Sequence, residues 1–372
     1  MADRSAPQSK DSRPILRFFA TALNFWRRPA AASVWMLTII LAAGVVFQLV
    51  VQYQLNFWNR DFFDALSRRD GAMLWTQIWV FLPLAAVSIA LAVFSVWNRM
   101  TLQRKWREWL TYRIIETWVL KGRSRNLKSV WGDHQNPEHR IAEDGRLATD
   151  SPIDLLSGFL SAILTSITFI IVLWDVGGNL VVTLGGTTLN LPGYLVIAVT
   201  IYSILVAISM VAVGHSLVEV VGGKNKAEAE FRTMGTRFRE SSESYGLGDR
   251  AKDLDTLSAA FRDVVTRWRE LCWQLMGTTF ISQSSILAVP VVAWILCAPK
   301  YLSGDMSLGE FTQAAAAFVA VQSSFSWFVD NYARLADWSS SASRVGVLLL
   351  ALDDLDKSDA PSAPRAEGDQ NR

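Results

Sequence analysis

Cysteine and histidine are almost missing from these 372 residues, with two of the first and three of the second. That scarcity argues against a disulfide framework, a metal centre or a thiol nucleophile. Cys272 and Cys297 share one apolar run, 25 positions apart. On a helix that separation is ~38 Å, too far for a bond between them. His134 and His139 flank Pro137 with no cysteine nearby, so no metal is expected there. A surplus of charge is missing too: the formal net charge is +2, where a nucleic-acid binder needs a large basic excess on one face, so no nucleic-acid partner is expected. No phosphate-cradling glycine loop exists in these residues; "GGKN" at 222–225 has neither the earlier glycine nor the Ser/Thr for magnesium. With no nucleophile arrangement either, the chain does not read as an enzyme, and no cofactor is expected.

What is abundant is apolar sequence, 51% of the residues, and it comes in runs. Crossing about 30 Å of hydrocarbon takes roughly 20 mostly apolar residues. Six segments meet that need: about 30–55, 72–97, 155–174, 191–214, 272–298 and 311–330. The first is uncharged for 26 residues from Ala30 to Leu55, too long for a cleaved leader. Pro83 and Pro290 fall inside spans two and five, where they predict kinks unless a neighbour satisfies the freed carbonyl. The fold class is an all-α membrane protein.

Basic residues set the expected orientation. With the N-terminus inside, 32 of the 36 Lys/Arg fall on inner segments and 4 on outer loops. Both ends are then cytoplasmic: a segment 1–29 before the 30–350 transmembrane domain, and a polar tail 356–372 that reads as disordered. The outer stretch "GNLVVTLGGTTLNLPG" alternates around Gly185-Gly186 like a small hairpin. The inner connections 99–150 and 216–270 are long and read as helical arms. In the second, Leu254, Leu257, Phe261, Val264, Trp268 and Leu271 repeat at spacings of 3 and 4, a coiled-coil-like seam leading into span five. Phe231, Met234 and Phe238 read as packing within the same arm.

Ionisable groups in or beside a span are costly and mark functional candidates. Asp330 ends the uncharged run of span six beside Asn331, with Arg334 one turn on. It reads either as a cavity-facing carboxylate for substrate or proton, or as an Asp–Arg pair anchoring the span. At the outer end of span one, Arg60, Asp61 and Asp64 share a helix face, interleaved with Trp58, Phe62 and Phe63.

Five strings make the architecture specific: "WNRDFFDAL" (58–66), "NPEHRIAED" (136–144), "PGYLV" (192–196), "EAEFR" (228–232) and "SWFVDNYARLADW" (326–338). Over about 15–350 the chain resembles the SbmA/BacA-like peptide transporters and the related bacterial ABC permease/ATPase proteins for cobalamin, bleomycin and antimicrobial peptides. The peroxisomal fatty-acyl ABC half-transporters are more distant. The resemblance implies an ABC-exporter-like transmembrane domain, working as a homodimer around a large cavity that takes up peptides or other bulky hydrophilic solutes across the bacterial inner membrane. Members most similar in motif carry an ATPase after span six, which these residues do not contain. Proton coupling is therefore the expected energy source, with a separately encoded ATPase as the alternative and a non-transporting scaffold or receptor as a second one. The resemblance also raises Asp61 and Asp64 as pathway or proton-accepting residues. SbmA-like proteins are expected to line their pathway with glutamates, yet no Glu lies in the six spans here. In the arm-tip motif, Asn136 suits a helix cap and Pro137 the first helical position. Arg140, Glu143 and Asp144 would then contact an ATPase, or else pack arm against arm.

Overall fold

The computed structural model describes residues 14–28, 31–119, 137–184, 187–241 and 250–359. Among these described residues eight helices and one hairpin follow in order: α1 (Pro14–Arg27), α2 (Ala32–Ser67), α3 (Gly71–Val119), α4 (Pro137–Gly177), β1 (Asn179–Leu184), β2 (Thr187–Pro192), α5 (Tyr194–Gly214), α6 (Leu217–Ser241), α7 (Arg250–Leu302) and α8 (Leu308–Asp359). Five of these, α2, α3, α4, α5 running on into α6, and α7, are long and apolar enough to cross a membrane. The sixth expected span lies on α8, a continuous 52-residue helix. Its stretch 311–330 carries Gln313, Gln322, Ser323, Ser324 and Ser326 and is the most polar of the six. Phe280, Leu287 and Leu302 stand at least 73% exposed, as side chains facing lipid do.

α3 and α7 run unbroken through Pro83 and Pro290, so neither proline ends its helix. β1 and β2 pair antiparallel with Leu180 opposite Leu191 and Leu184 opposite Thr187, the hairpin expected from the alternation. Gly193 closes it at φ +61 with the Trp174 ring against its Cα, a place where a side chain would be both strained and blocked.

The chain divides into two compact units. One is formed by Met1–Val51, Ala85–Ser161 and Asn331–Arg372, the other by Gln52–Leu84 and Ala162–Asp330. In the first unit the core is aromatic and aliphatic. Phe25 stacks on Trp106 at 6.2 Å, Trp26 meets the same indole edge-on at 5.2 Å, and Leu110, Ile114, Val345, Leu348 and Leu352 complete it. Reading 1–29 only as a polar leading segment misses α1. Phe18, Ala22 and Phe25 recur at i, i+4 and i+7 and are buried, while Arg17 donates two hydrogen bonds to Asp353 at 2.6 and 2.9 Å. α1 lies so close to α8 that a Cβ at Gly346 would overlap the Pro14 carbonyl. α8 continues through Asp359, so four of the residues assigned to a disordered tail are helical, and residues 360–372 lie outside the described residues.

In the second unit α6 and α7 pair as an arm. Phe231 packs on Phe261 at 5.5 Å, the Trp268 indole donates to Glu228 at 3.0 Å, and Lys224 lies over the Trp268 ring. Of the seam 254–271 only Val264 is buried; Leu254, Phe261 and Trp268 remain 46–67% exposed. α5 is fixed to α7 by hydrogen bonds from Tyr194 to the Leu296 carbonyl and from Tyr202 to the Ser285 carbonyl, each 3.2 Å. α8 begins with a reciprocal capping box: Ser307 Oγ accepts from the Glu310 amide (3.1 Å) and Glu310 accepts from the Ser307 amide (2.8 Å).

Candidate functional site

Inside the second unit, α5, α7 and α8 enclose a cavity of about 170 Å³. Three polar side chains at its inner level are joined to one another: Gln322 donates to Ser285 Oγ at 3.3 Å and to Ser326 Oγ at 2.8 Å. Tyr202 Oη lies 3.4 Å from the same Ser285 hydroxyl. Ser203, on the wall of the cavity, is buried with its hydroxyl unpartnered among the described residues. Such a group costs about 1–3 kcal/mol unless something in the cavity meets it. Apolar atoms of Val206, Met210, Ile281 and Phe325 form the remaining walls, and Asp330 stands at the exposed mouth.

Asp330 was expected to bind a solute or to pair with Arg334. Arg334 turns instead to Asp154 at 3.2 Å, and also reaches Asn331 at 3.3 Å. Asp154 is claimed by Arg99 (3.2 Å) and by the Gln103 amide (2.7 Å) as well. Asn331 and Arg334 therefore belong to a polar knot in the first unit. Asp330 has no hydrogen-bond or ion-pair partner among the described residues, and it lines the cavity.

The other acidic pair is committed. Asp61 pairs with its neighbour Arg60 at 3.0 Å. Asp64 Oδ1 accepts the backbone N–H of Gly309 at 2.7 Å, capping the first turn of α8 from another helix. A Cβ at Gly309 would overlap both Asp64 and the Arg60 carbonyl.

In the arm-tip motif, Asn136 lies outside the described residues. Pro137 opens a short helical turn, and Arg140–Asp144 winds as a π-helix before α4 continues. Arg140, Ile141 and Asp144 are buried. Asp144 receives the Arg344 guanidinium through both oxygens, at 2.6 to 3.0 Å. Glu143 is half exposed and pairs with Arg146 at 2.6 Å, a bond that holds its carboxyl below the usual range. Burial, its largest influence, pushes the nearby Asp150 carboxyl up. Half of the motif thus packs within its own unit, leaving Glu138, His139 and Ala142 exposed. Among the described residues no group of three or more His, Cys, Asp or Glu gathers to hold a metal.

Sequence reasoning singled out Asp330 but missed Ser203, Ser285 and Gln322. Serine and glutamine do not interrupt an apolar run strongly enough to draw notice, and only the facing of three helices brings them together. Arg344 escaped for a similar reason, being 200 positions from Asp144.

The ABC transporter transmembrane region 2 family matches residues 29–302. This chain belongs to that family. It is 29% identical over 336 residues to the inner membrane ABC transporter ATP-binding protein YddA of Escherichia coli, covering 89% of this chain and 60% of that protein. It is 26% identical to the ABC transporter ATP-binding protein sll0182 of Synechocystis, covering 84% of this chain and 45% of the relative. With the chloroplastic ABC transporter D family member 2 of Arabidopsis thaliana it shares 23% identity, over 89% and 45%. The chain thus spans about half the length of these relatives. It is a transporter membrane component of the ABC-transporter-like family, built on several membrane spans.

Proposed function

We propose that this chain takes up peptides or similar bulky hydrophilic solutes across a bacterial inner membrane, as a homodimer working by alternating access. Both termini lie in the cytoplasm in this reading, supported by the placement of 32 of 36 basic residues on one set of connections. The observation that carries a solute-handling role is the hydroxyl-lined cavity ending at an unpaired carboxylate among membrane helices. Polar groups are costly there and are kept where a polar species passes. The chain itself acts as carrier, not as enzyme, and the driving force is the proton gradient.

One observation favours a second reading of the energy source. YddA and sll0182 carry ATP-binding in their names, and this chain matches only part of each. In that reading an ATPase drives the same pathway, and the exposed residues of the arm tip are where it docks.

Uptake of a labelled peptide into proteoliposomes holding the purified chain, under an imposed pH gradient without ATP, separates the two. Accumulation that collapses with a protonophore supports proton coupling. No accumulation until a co-purified ATPase and ATP are supplied assigns the energy to nucleotide. Failure under both conditions overturns the transport reading in favour of a scaffold.

A further inference from the structure

The cavity between α5, α7 and α8 has two chemically distinct ends. Hydrogen bonds from Tyr202 and Gln322 to Ser285 fix its inner end at one level of the three helices. Asp330 lies eight residues further along α8, which is ~12 Å at 1.5 Å per residue. Between them run the apolar atoms of Met210, Phe325 and Val329.

The hydrogen-bond inventory at each end shows what is left over. Both bonds of the Gln322 amide are donated, to Ser285 and Ser326, so its carbonyl oxygen remains as an acceptor. The Ser323 hydroxyl donates to the Ala320 carbonyl at 2.9 Å, leaving its lone pairs. Asp330 is acceptor-only when ionised and has no cationic partner among the described residues. No Lys, Arg or His lines the cavity. At the Asp330 end the surplus is of acceptors and negative charge, so an anionic head fits poorly there, while the Ser203 and Ser326 hydroxyls at the inner end keep donors for a neutral polar group. A serine row alone would be ordinary helix packing. What marks this one as a site is Ser203, 4% exposed, with an unpartnered hydroxyl on the cavity wall.

We infer that this cavity is a binding site for one alkyl-guanidinium or alkyl-ammonium group, of the size of an arginine or lysine side chain. The cationic head sits at Asp330, where its N–H donors meet the carboxylate. The carbon stem lies on the Met210, Phe325 and Val329 wall, as amphipathic side chains lie on apolar surface. Polar atoms attached to the far end of the stem reach the Ser203, Ser285 and Gln322 level. This deepens the transport reading by naming the chemistry of a cargo side chain, and it rests on that reading only for the source of the group. Binding itself requires neither turnover nor an energy supply.

The test is calorimetric titration of the full chain in lipid nanodiscs, at neutral pH and constant ionic strength. The probes are n-butylguanidinium, its neutral isostere n-butylurea, a blocked Gly-Arg-Gly tripeptide and its Gly-Gln-Gly counterpart. The expected result is that each cation binds at least about tenfold more tightly than its neutral counterpart, the size of effect one charge pair supplies. Asp330→Asn should weaken the cations about tenfold while leaving the neutral probes unchanged. Ala207 lines the α5 wall of the cavity, and Ala207→Phe, which fills that space and leaves the carboxylate in place, should abolish binding of all four. Tighter binding of the arginine tripeptide than of butylguanidinium identifies a peptide as the source of the group; equal binding identifies a free amine or guanidine. Neutral and cationic probes binding alike, or indifference to both substitutions, overturns the inference. So does displacement by sodium as effective as by butylguanidinium, which assigns the site to an inorganic cation. If Asp330→Asn does not fold, Ala207→Phe and the paired probes decide alone. Cation binding without uptake in proteoliposomes under either energy source sinks the transport reading and leaves this site standing; uptake without cation binding does the reverse.

Discussion

At the scale of single residues, the acidic groups that look alike in sequence do different work. Asp64 is a helix cap and Asp61 an ion-pair partner, while Asp330 alone among the three is uncommitted. Asp64→Ala should therefore destabilise by about 1 kcal/mol, the ordinary worth of a capping side chain. Gly309→Ala should cost more, because its Cβ meets a carbonyl that cannot move aside. Thermal unfolding in detergent checks both, and a Gly309→Ala protein melting with the parent would refute the close approach. Arg344→Ala strips the buried Asp144 carboxylate of its partner, a loss of about 2 kcal/mol, whereas substituting the exposed Glu138 should leave the melting temperature unmoved. Titration gives an independent check at the arm. Burial raises the folded-state value of Asp150 above its unfolded one, so its favourable contribution is complete below the unfolded value and fades as pH rises through the folded one. Asp150→Asn should accordingly melt higher than the parent at neutral pH, with the difference vanishing in acid. Glu143 is the opposite case: its lowered value makes the Arg146 pair stabilising above the unfolded carboxylate value and progressively lost as pH falls through the folded one.

At the scale of elements, periodicity and length were legible and proximity was not. Runs of uncharged residues locate the helices because lipid tolerates little else, and alternation around Gly185-Gly186 locates the hairpin strands. The start of α8 was also written in the sequence as Ser307-Leu308-Gly309-Glu310, a capping box that went unread. α1 went unread because its buried stripe of Phe18, Ala22 and Phe25 is diluted by a basic neighbourhood. Its weight in the first unit can be measured: Phe25→Ala, which empties a fully buried ring position between Trp26 and Trp106, should cost about 3–5 kcal/mol. An unchanged melting temperature would show that α1 is dispensable. The cavity could not be read this way, since its polar members come from three helices and no single helix displays them as a pattern.

At the scale of the whole molecule, the uneven exposure of its surfaces matters most. The α6–α7 arm keeps Leu254, Phe261 and Trp268 open in the single chain. The proposed homodimer would offer those side chains a second surface, and cross-linking through cysteines placed at 254 and 261 should then trap a dimer in native membranes and not in denaturant. Monomer alone in both conditions would count against it. Orientation is checked at the same scale: cysteines in 99–119 should react with membrane-impermeant maleimide only in inverted vesicles, and those at 68–70 only in right-side-out cells.

The borrowed cap at Gly309 carries one more implication. Because the opening amide of α8 finishes its bonding on a carboxylate from residue 64, the two segments are halves of one joint and neither is complete in isolation. A synthetic 305–330 peptide dissolved in micelles should fray over its first turn, exchanging that amide quickly with solvent. Adding a 52–67 peptide should slow the exchange, and one carrying alanine at 64 should not. Evolution or an engineer wishing to lengthen the loop after α2 must then preserve the reach of a single aspartate side chain.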